Sequence, residues 1–146
     1  MAGLFLENGP LKVTQPLGGK DNTDYLVGLR EGAWTELADV VYIDNPVNVG
    51  FSYGDSYVSS MRTLADELVN FVDQFVTLFP EYSKPLGSKI YLTGESFGGK
   101  YLSIFARKMM IYQENQGNGK VEVGGVIMGN PIISPPIQRL TTHRVA

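Results

Sequence analysis

A short apolar run, Lys89-Ile90-Tyr91-Leu92-Thr93, passes without a spacer into Gly94-Glu95-Ser96-Phe97-Gly98-Gly99, and from there into a stretch with helical spacing over about residues 97–113. A strand that turns this sharply into a helix leaves few folds open. The neighbouring segments narrow the choice further. Val40-Val41-Tyr42-Ile43 is a compact β-branched and aromatic run, stopped by Asp44-Asn45-Pro46, and reads as a buried strand with an abrupt end. Ser59 or Ser60 can cap a helix whose apolar positions Met61, Leu64, Ala65, Leu68, Phe71, Val72, Phe75 and Phe79 fall on one face, with Pro80 as its stop. Beyond the turn-prone residues 115–119, residues 121–128 read as one more strand, ending at Gly129-Asn130-Pro131. Leu11-Lys12-Val13 is a first, short strand candidate, followed by loop chemistry at residues 18–22. The order strand, helix, strand, helix, strand, with strands written as apolar runs, points to an α/β fold: a mainly parallel sheet flanked by helices.

Gly94-Glu95-Ser96-Phe97-Gly98 fits the pattern G-x-S-x-G, and it lies where that pattern has physical meaning, between a strand and a helix. The turn has to be tight. Small residues two before and two after the serine are expected because a Cβ at Gly94 or Gly98 would meet the neighbouring strand or helix. Ser96 is then held in a strained conformation with its Oγ exposed. The helix N-terminus behind it offers free backbone N–H groups to a developing oxyanion, the amide of Phe97 among them. The plainer reading of the same residues is a glycine-rich turn that packs closely.

Composition removes most other chemistries. The chain of 146 residues has no cysteine and one histidine, His143, so thiolate nucleophiles, disulfides and Cys- or His-cluster metal sites are out. No cofactor is called for. A formal charge of −3, with Lys and Arg scattered singly, gives no electrostatic footprint for nucleic acid or for an anionic membrane. No apolar stretch approaches the ~18 residues of a spanning helix, and Met1-Ala2-Gly3-Leu4-Phe5-Leu6-Glu7 lacks the features of a signal peptide. There is no repeat or linker, so residues 1–146 read as one unit.

Several separated blocks together resemble the serine carboxypeptidases of the α/β-hydrolase fold. Gly3-Leu4-Phe5-Leu6-Glu7-Asn8-Gly9-Pro10 is similar to the segment that follows the family's oxyanion loop. Residues 34–53, from Trp34 through Asp44-Asn45-Pro46 to Tyr53, resemble its Trp-led strand and the loop after it. Phe79-Pro80-Glu81-Tyr82 is similar to the usual stop before the nucleophile strand, and residues 94–101 (GESFGGKY) look like the nucleophile block. Gly129-Asn130-Pro131 with Gln138 resembles a further block, with Ser134 where the family usually has Asp. The resemblance implies that Ser96 is the acylated nucleophile and the Phe97 N–H an oxyanion donor, Phe standing where Tyr is common. It also implies that Glu95 and Glu7 hold the free C-terminal carboxylate of a peptide substrate. A carboxylate among glutamates requires a shared proton, hence activity favoured at acidic pH. Phe51 and Tyr53 follow a strand end and are possible pocket residues; loop packing is the alternative. Trp34 reads as a packing anchor and Lys100 as a solvent-reaching lysine.

The resemblance also implies parts that these residues do not supply. α/β-Hydrolases place an acid and then a histidine after the serine. Here the only acids after Ser96 are Glu114 and Glu122, and His143 sits in a polar tail, Thr141-Thr142-His143-Arg144, where the family has no base. The Gly-rich oxyanion loop would precede Gly3. The expectation is therefore a partial α/β-hydrolase domain, an internal fragment nearly inactive by itself, from an enzyme that releases C-terminal residues from peptides. A carboxypeptidase-like acyltransferase or esterase, and a non-catalytic binding module on the same fold, are the alternatives. An exposed sheet edge is expected to be covered by a protein partner or a missing segment. By resemblance the protein belongs to the secretory pathway, the vacuole or lysosome, or the extracellular space.

Overall fold

The computed structural model describes residues 3–14, 25–115 and 120–142. They fall into two compact units that divide between Tyr57 and Val58.

In the first unit, strands β1 (Leu11–Thr14) and β2 (Leu26–Leu29) form an antiparallel ribbon in which Leu11 pairs with Leu29 and Thr14 with Leu26. A single π-helical turn, Gly3–Glu7, precedes it. The Arg30 guanidinium ties the two together, donating from Nε to the Gly9 carbonyl (3.1 Å) and from one terminal nitrogen to the carbonyls of Phe5 (2.8 Å) and Leu11 (3.4 Å). Three carbonyls on one planar cation fix the turn against the ribbon. Gly9 is required there, because a Cβ would stand 2.1 Å from the Leu4 carbonyl oxygen. The expected strand at Val40-Val41-Tyr42-Ile43 is not formed. No described backbone group pairs with it, and Val41 and Ile43 are half exposed. A β-branched run becomes a strand only when a neighbour completes its ladder.

In the second unit, helix α1 (Met61–Leu78) starts at Ser60, whose hydroxyl accepts from the Arg62 N–H at 3.2 Å, and ends just before Pro80, as the sequence predicts. Strand β3 (Ile90–Glu95), helix α2 (Gly98–Asn115) and strand β4 (Val123–Gly129) make a parallel βαβ unit. β3 and β4 are in register from Tyr91↔Gly125 to Glu95↔Gly129. α1 packs on α2, and α2 on both strands. Val69, Val72 and Val76 of α1 meet Met109 of α2 and Val121 in one core cluster, against which Ile90, Leu92 and Val123 are packed. Leu64, Ala65 and Phe105 form a second. The buried stripe of α1 thus includes Val69 and Val76, while Phe71 and Phe79 stay substantially exposed. Along β3, burial alternates residue by residue, and Tyr91 (58% exposed) and Ile127 (51%) lie outside the helix-covered core. A short helix, α3 (Pro135–Thr142), follows β4. None of the described helices is long and apolar enough to cross a membrane.

Candidate active site

The elbow is built from the ends of three elements. β3 stops at Glu95, α2 starts at Gly98, and Ser96 between them has φ +53°, the left-handed region that costs a residue with a Cβ about 1 kcal/mol or more. Such a conformation persists only where neighbouring groups over-determine it. Here they do: the Ser96 N–H donates to the Gly129 carbonyl (3.0 Å), and its own carbonyl accepts from the N–H groups of Ile132 (2.7 Å) and Gly99 (3.1 Å). The last residues of β4 and the turn after it therefore grip the serine by its main chain. Its side chain is left exposed, and among the described residues nothing hydrogen-bonds its Oγ.

The glycines divide differently from the sequence expectation. At Gly94 an added Cβ would come within 3.3 Å of Leu102 Cδ1, a tight contact that supports the expected constraint. At Gly98 it would meet nothing within 4 Å, so the second glycine of the pattern is not sterically required. The demanding position is the next one. A Cβ on Gly99 would lie 2.6 Å from Pro131 Cβ and 3.1 Å from both the N and the O of Ile132. Close approach of α2 to the turn after β4 is thus what fixes glycine here, and the proline after Asn130 was the signal in the sequence.

Phe97 follows Ser96 with its N–H unmet by any described acceptor. Its ring, 42% exposed, stands edge-on to Tyr101 at 5.1 Å between centroids, and the Lys100 ammonium lies 5.2 Å from its centroid. Lys100 thus covers an aromatic face beside the elbow instead of simply reaching into solvent. Glu95, the last residue of β3, is exposed next to the serine and has no ion-pair partner among the described residues. Glu7 is exposed at the end of the π-helical turn of the first unit. Phe51 and Tyr53 stand 78% and 90% exposed in the loop after Ile43. That loop is organised by Asp44, whose Oδ2 accepts from the Phe51 N–H (3.0 Å) and whose carbonyl accepts from Ser52 Oγ (2.6 Å). Trp34 is 39% exposed in a single 3₁₀ turn.

Neither remaining acid can serve Ser96. Glu122 pairs with Lys89 at 3.1 Å and its carbonyl accepts from the Ile90 N–H, at the opposite end of β3 from the elbow. Glu114 lies at the far end of α2, about 24 Å along its axis from Gly98 at the helical rise. His143 lies outside the described residues.

Tyr112 and Asp73, away from the elbow, went unnoticed in the sequence. The Tyr112 hydroxyl donates to Asp73 Oδ1, as does the Lys120 ammonium at 3.0 Å. Burial, reinforced by the Asp73 carboxylate, pushes the Tyr112 phenol up to about 12, and the same two donors hold the Asp73 carboxyl below its usual range.

A parallel βαβ unit with a strained, exposed serine at its strand–helix turn defines the class: an α/β-hydrolase fold carrying a nucleophile elbow. All of residues 1–146 match the sequence model of the serine carboxypeptidases, and the chain belongs to that family. It is 37% identical over 141 residues to the pheromone-processing carboxypeptidase KEX1 of Ogataea parapolymorpha, covering 97% of this chain and 21% of that protein. With the KEX1 of Metarhizium robertsii it shares 36% identity over 141 residues, 93% of this chain and 21% of the relative. The crystal structure of Kex1(Δ)p, a prohormone-processing carboxypeptidase from Saccharomyces cerevisiae, superimposes with a TM-score of 0.82 at 26% identity, over 99% of this chain and 30% of that one. The chain thus spans about a fifth of the length of the curated relatives it matches.

Proposed function

We propose that the protein acts as a serine-type carboxypeptidase, releasing the C-terminal residue of a peptide through an acyl-enzyme on Ser96. The observation that carries this reading is Ser96 itself, held at positive φ by three main-chain hydrogen bonds with its side chain exposed. Its Oγ attacks the carbonyl of the last peptide bond, the amine of the terminal residue leaves, and water then hydrolyses the ester. The unmet Phe97 N–H suits the oxyanion that forms on the way. Glu95 takes the substrate's terminal carboxylate; for Glu7, Phe51 and Tyr53 a substrate contact rests on the family resemblance alone.

No metal or cofactor is needed on this route. The triad acid, the base for Ser96's proton and the Gly-rich oxyanion loop are assigned to residues other than those described, and without them Ser96 acylates slowly. Apolar side chains outside the helix-covered core, Tyr91 and Ile127, support a further segment or protein partner over that side of the sheet. The pheromone- and prohormone-processing relatives support a place on the secretory route.

The test is a fluorophosphonate probe on the protein from its source, followed by peptide mapping and intact mass. Label on Ser96 together with release of C-terminal amino acids supports the reading. Turnover of esters without peptides points to the acyltransferase or esterase alternative, and no label on Ser96 turns the search to a binding module.

A further inference from the structure

The two prolines that open α3, Pro135 and Pro136, have no N–H to donate, and the nearest amides ahead of them are those of Ile133 and Ser134. Gln138 reaches back to both. Its Oε1 accepts from the N–H groups of Ile133 and Ser134, each at 3.0 Å, while its Nε2 donates to the Pro131 carbonyl at 2.7 Å. One side-chain amide therefore closes the turn 131–134 at three points. That turn carries Ile132, whose N–H makes the shortest of the three bonds holding Ser96 (2.7 Å), and Pro131, which abuts Gly99 in the first turn of α2. Asn130, at the start of the same turn, also sits at positive φ (+41°). Two left-handed residues joined by one hydrogen-bonded turn would relax separately if the turn opened.

We propose that Gln138 is a positioning residue for the nucleophile: by stapling the turn 131–134 it keeps the Ile132 N–H on the Ser96 carbonyl and so maintains the serine's left-handed conformation. Gln138 touches no reacting atom, and its effect on chemistry passes through the main chain. A helix cap of this shape could also serve α3 alone. The two roles part company at the Ser96 and Ile132 amides, which belong to the elbow and not to α3. The inference rests on the assignment of Ser96 as nucleophile only for its kinetic consequence.

Hydrogen exchange on the protein, wild type against Gln138→Leu and Gln138→Glu, reads the staple directly. In Gln138→Leu the Ser96 and Ile132 amides should exchange roughly tenfold faster, the scale of losing one or two hydrogen bonds, while amides in the middle of α2 around Phe105 keep their protection. Gln138→Glu is the conservative variant. Its carboxyl can still accept from Ile133 and Ser134, and it can donate to the Pro131 carbonyl only when protonated, so protection at Ser96 and Ile132 should return as pH falls through the carboxyl range. The rate of fluorophosphonate labelling at Ser96 should follow the same pattern, lowered about tenfold or more in Gln138→Leu and recovering at low pH in Gln138→Glu. Faster exchange confined to α3, with Ser96 and Ile132 unchanged, overturns the proposal and leaves only a cap. If wild type takes no label yet Ser96 exchange responds to Gln138, the staple stands and the nucleophile assignment fails.

Discussion

The βαβ unit is held differently at its two ends. At the elbow, where β3 and β4 finish, Ser96 itself is held by main-chain groups, bonding to Gly129, Ile132 and Gly99, while Gly99 lets Pro131 come close and the Gln138 side chain closes the turn behind them. The side chains there, Ser96, Glu95 and Phe97, are exposed. At the other end, where α2 finishes and β4 begins, a side-chain network is added to the main-chain bonds Ile90 N–H to Glu122 and Lys84 N–H to Lys120. Asp73, Thr77, Tyr112 and Lys120 are bonded to one another, and Lys89 pairs with Glu122. A site that must offer its side chains to a ligand cannot spend them on its own fold. Backbone clamping leaves them available.

If that contrast is right, changes at the elbow should separate chemistry from stability. On the proposed role of Ser96, Ser96→Ala should cut probe labelling and any peptide turnover by at least ~10³-fold with the circular dichroism spectrum unchanged. Gly99→Ala comes next: overpacking against Pro131 and the Ile132 backbone should cost about 1–3 kcal/mol in urea denaturation. Gly98→Ala, one residue earlier, should be neutral or stabilising, because its Cβ enters open space at the start of a helix. Equal losses at both glycines would break the assignment of the steric demand to Gly99. Ser96→Gly removes the penalty of a left-handed serine and should raise stability by about 1 kcal/mol, with no labelling. A fall in the unfolding midpoint would mean that Ser96 is not strained.

Much of this was legible in sequence because local chemistry decides it. The capping Ser60 and stopping Pro80 bound α1, and Gly94-Glu95-Ser96-Phe97-Gly98 placed the strand–helix turn within a residue or two. What failed was whatever depends on a distant partner. Val40-Val41-Tyr42-Ile43 has strand composition but no described ladder partner, and Leu26–Leu29 pairs with a strand that is only four residues long and not adjacent to it in sequence. Gly98 fits the pattern, yet Gly99 carries the contact, because the contact is made by Pro131, more than thirty residues on. Gln138 belonged to a recognised block, but its three bonds become visible only once the turn 131–134 is folded. The roles of Glu7, Phe51 and Tyr53 came from the resemblance, and nothing in their own spacing specifies a ligand.

The far end sharpens the comparison with the smallest effect. The Asp73 and Lys120 side chains are 36% and 52% exposed, so solvent screens their attraction, and Asp73→Asn should cost under about 1 kcal/mol at neutral pH. Its pH dependence is more informative than its size. Donation from the Tyr112 hydroxyl and from Lys120 lowers the Asp73 carboxyl in the folded protein, so its stabilisation is present above the unfolded carboxyl value near 4 and is lost as pH falls through the lower folded value. The difference between wild type and Asp73→Asn should therefore close in strong acid. The phenol runs the other way. With Tyr112 held neutral up to about 12, the unfolded chain loses that proton first, and stability should decline as pH climbs from about 10, the ordinary tyrosine value, toward 12. Burial is the larger cause of that rise, so Asp73→Asn should bring the phenol only part of the way back. Ser96 labelling in this variant should match wild type at neutral pH. A change in labelling rate there would show that the two ends are coupled, and that the side-chain network also supports the elbow.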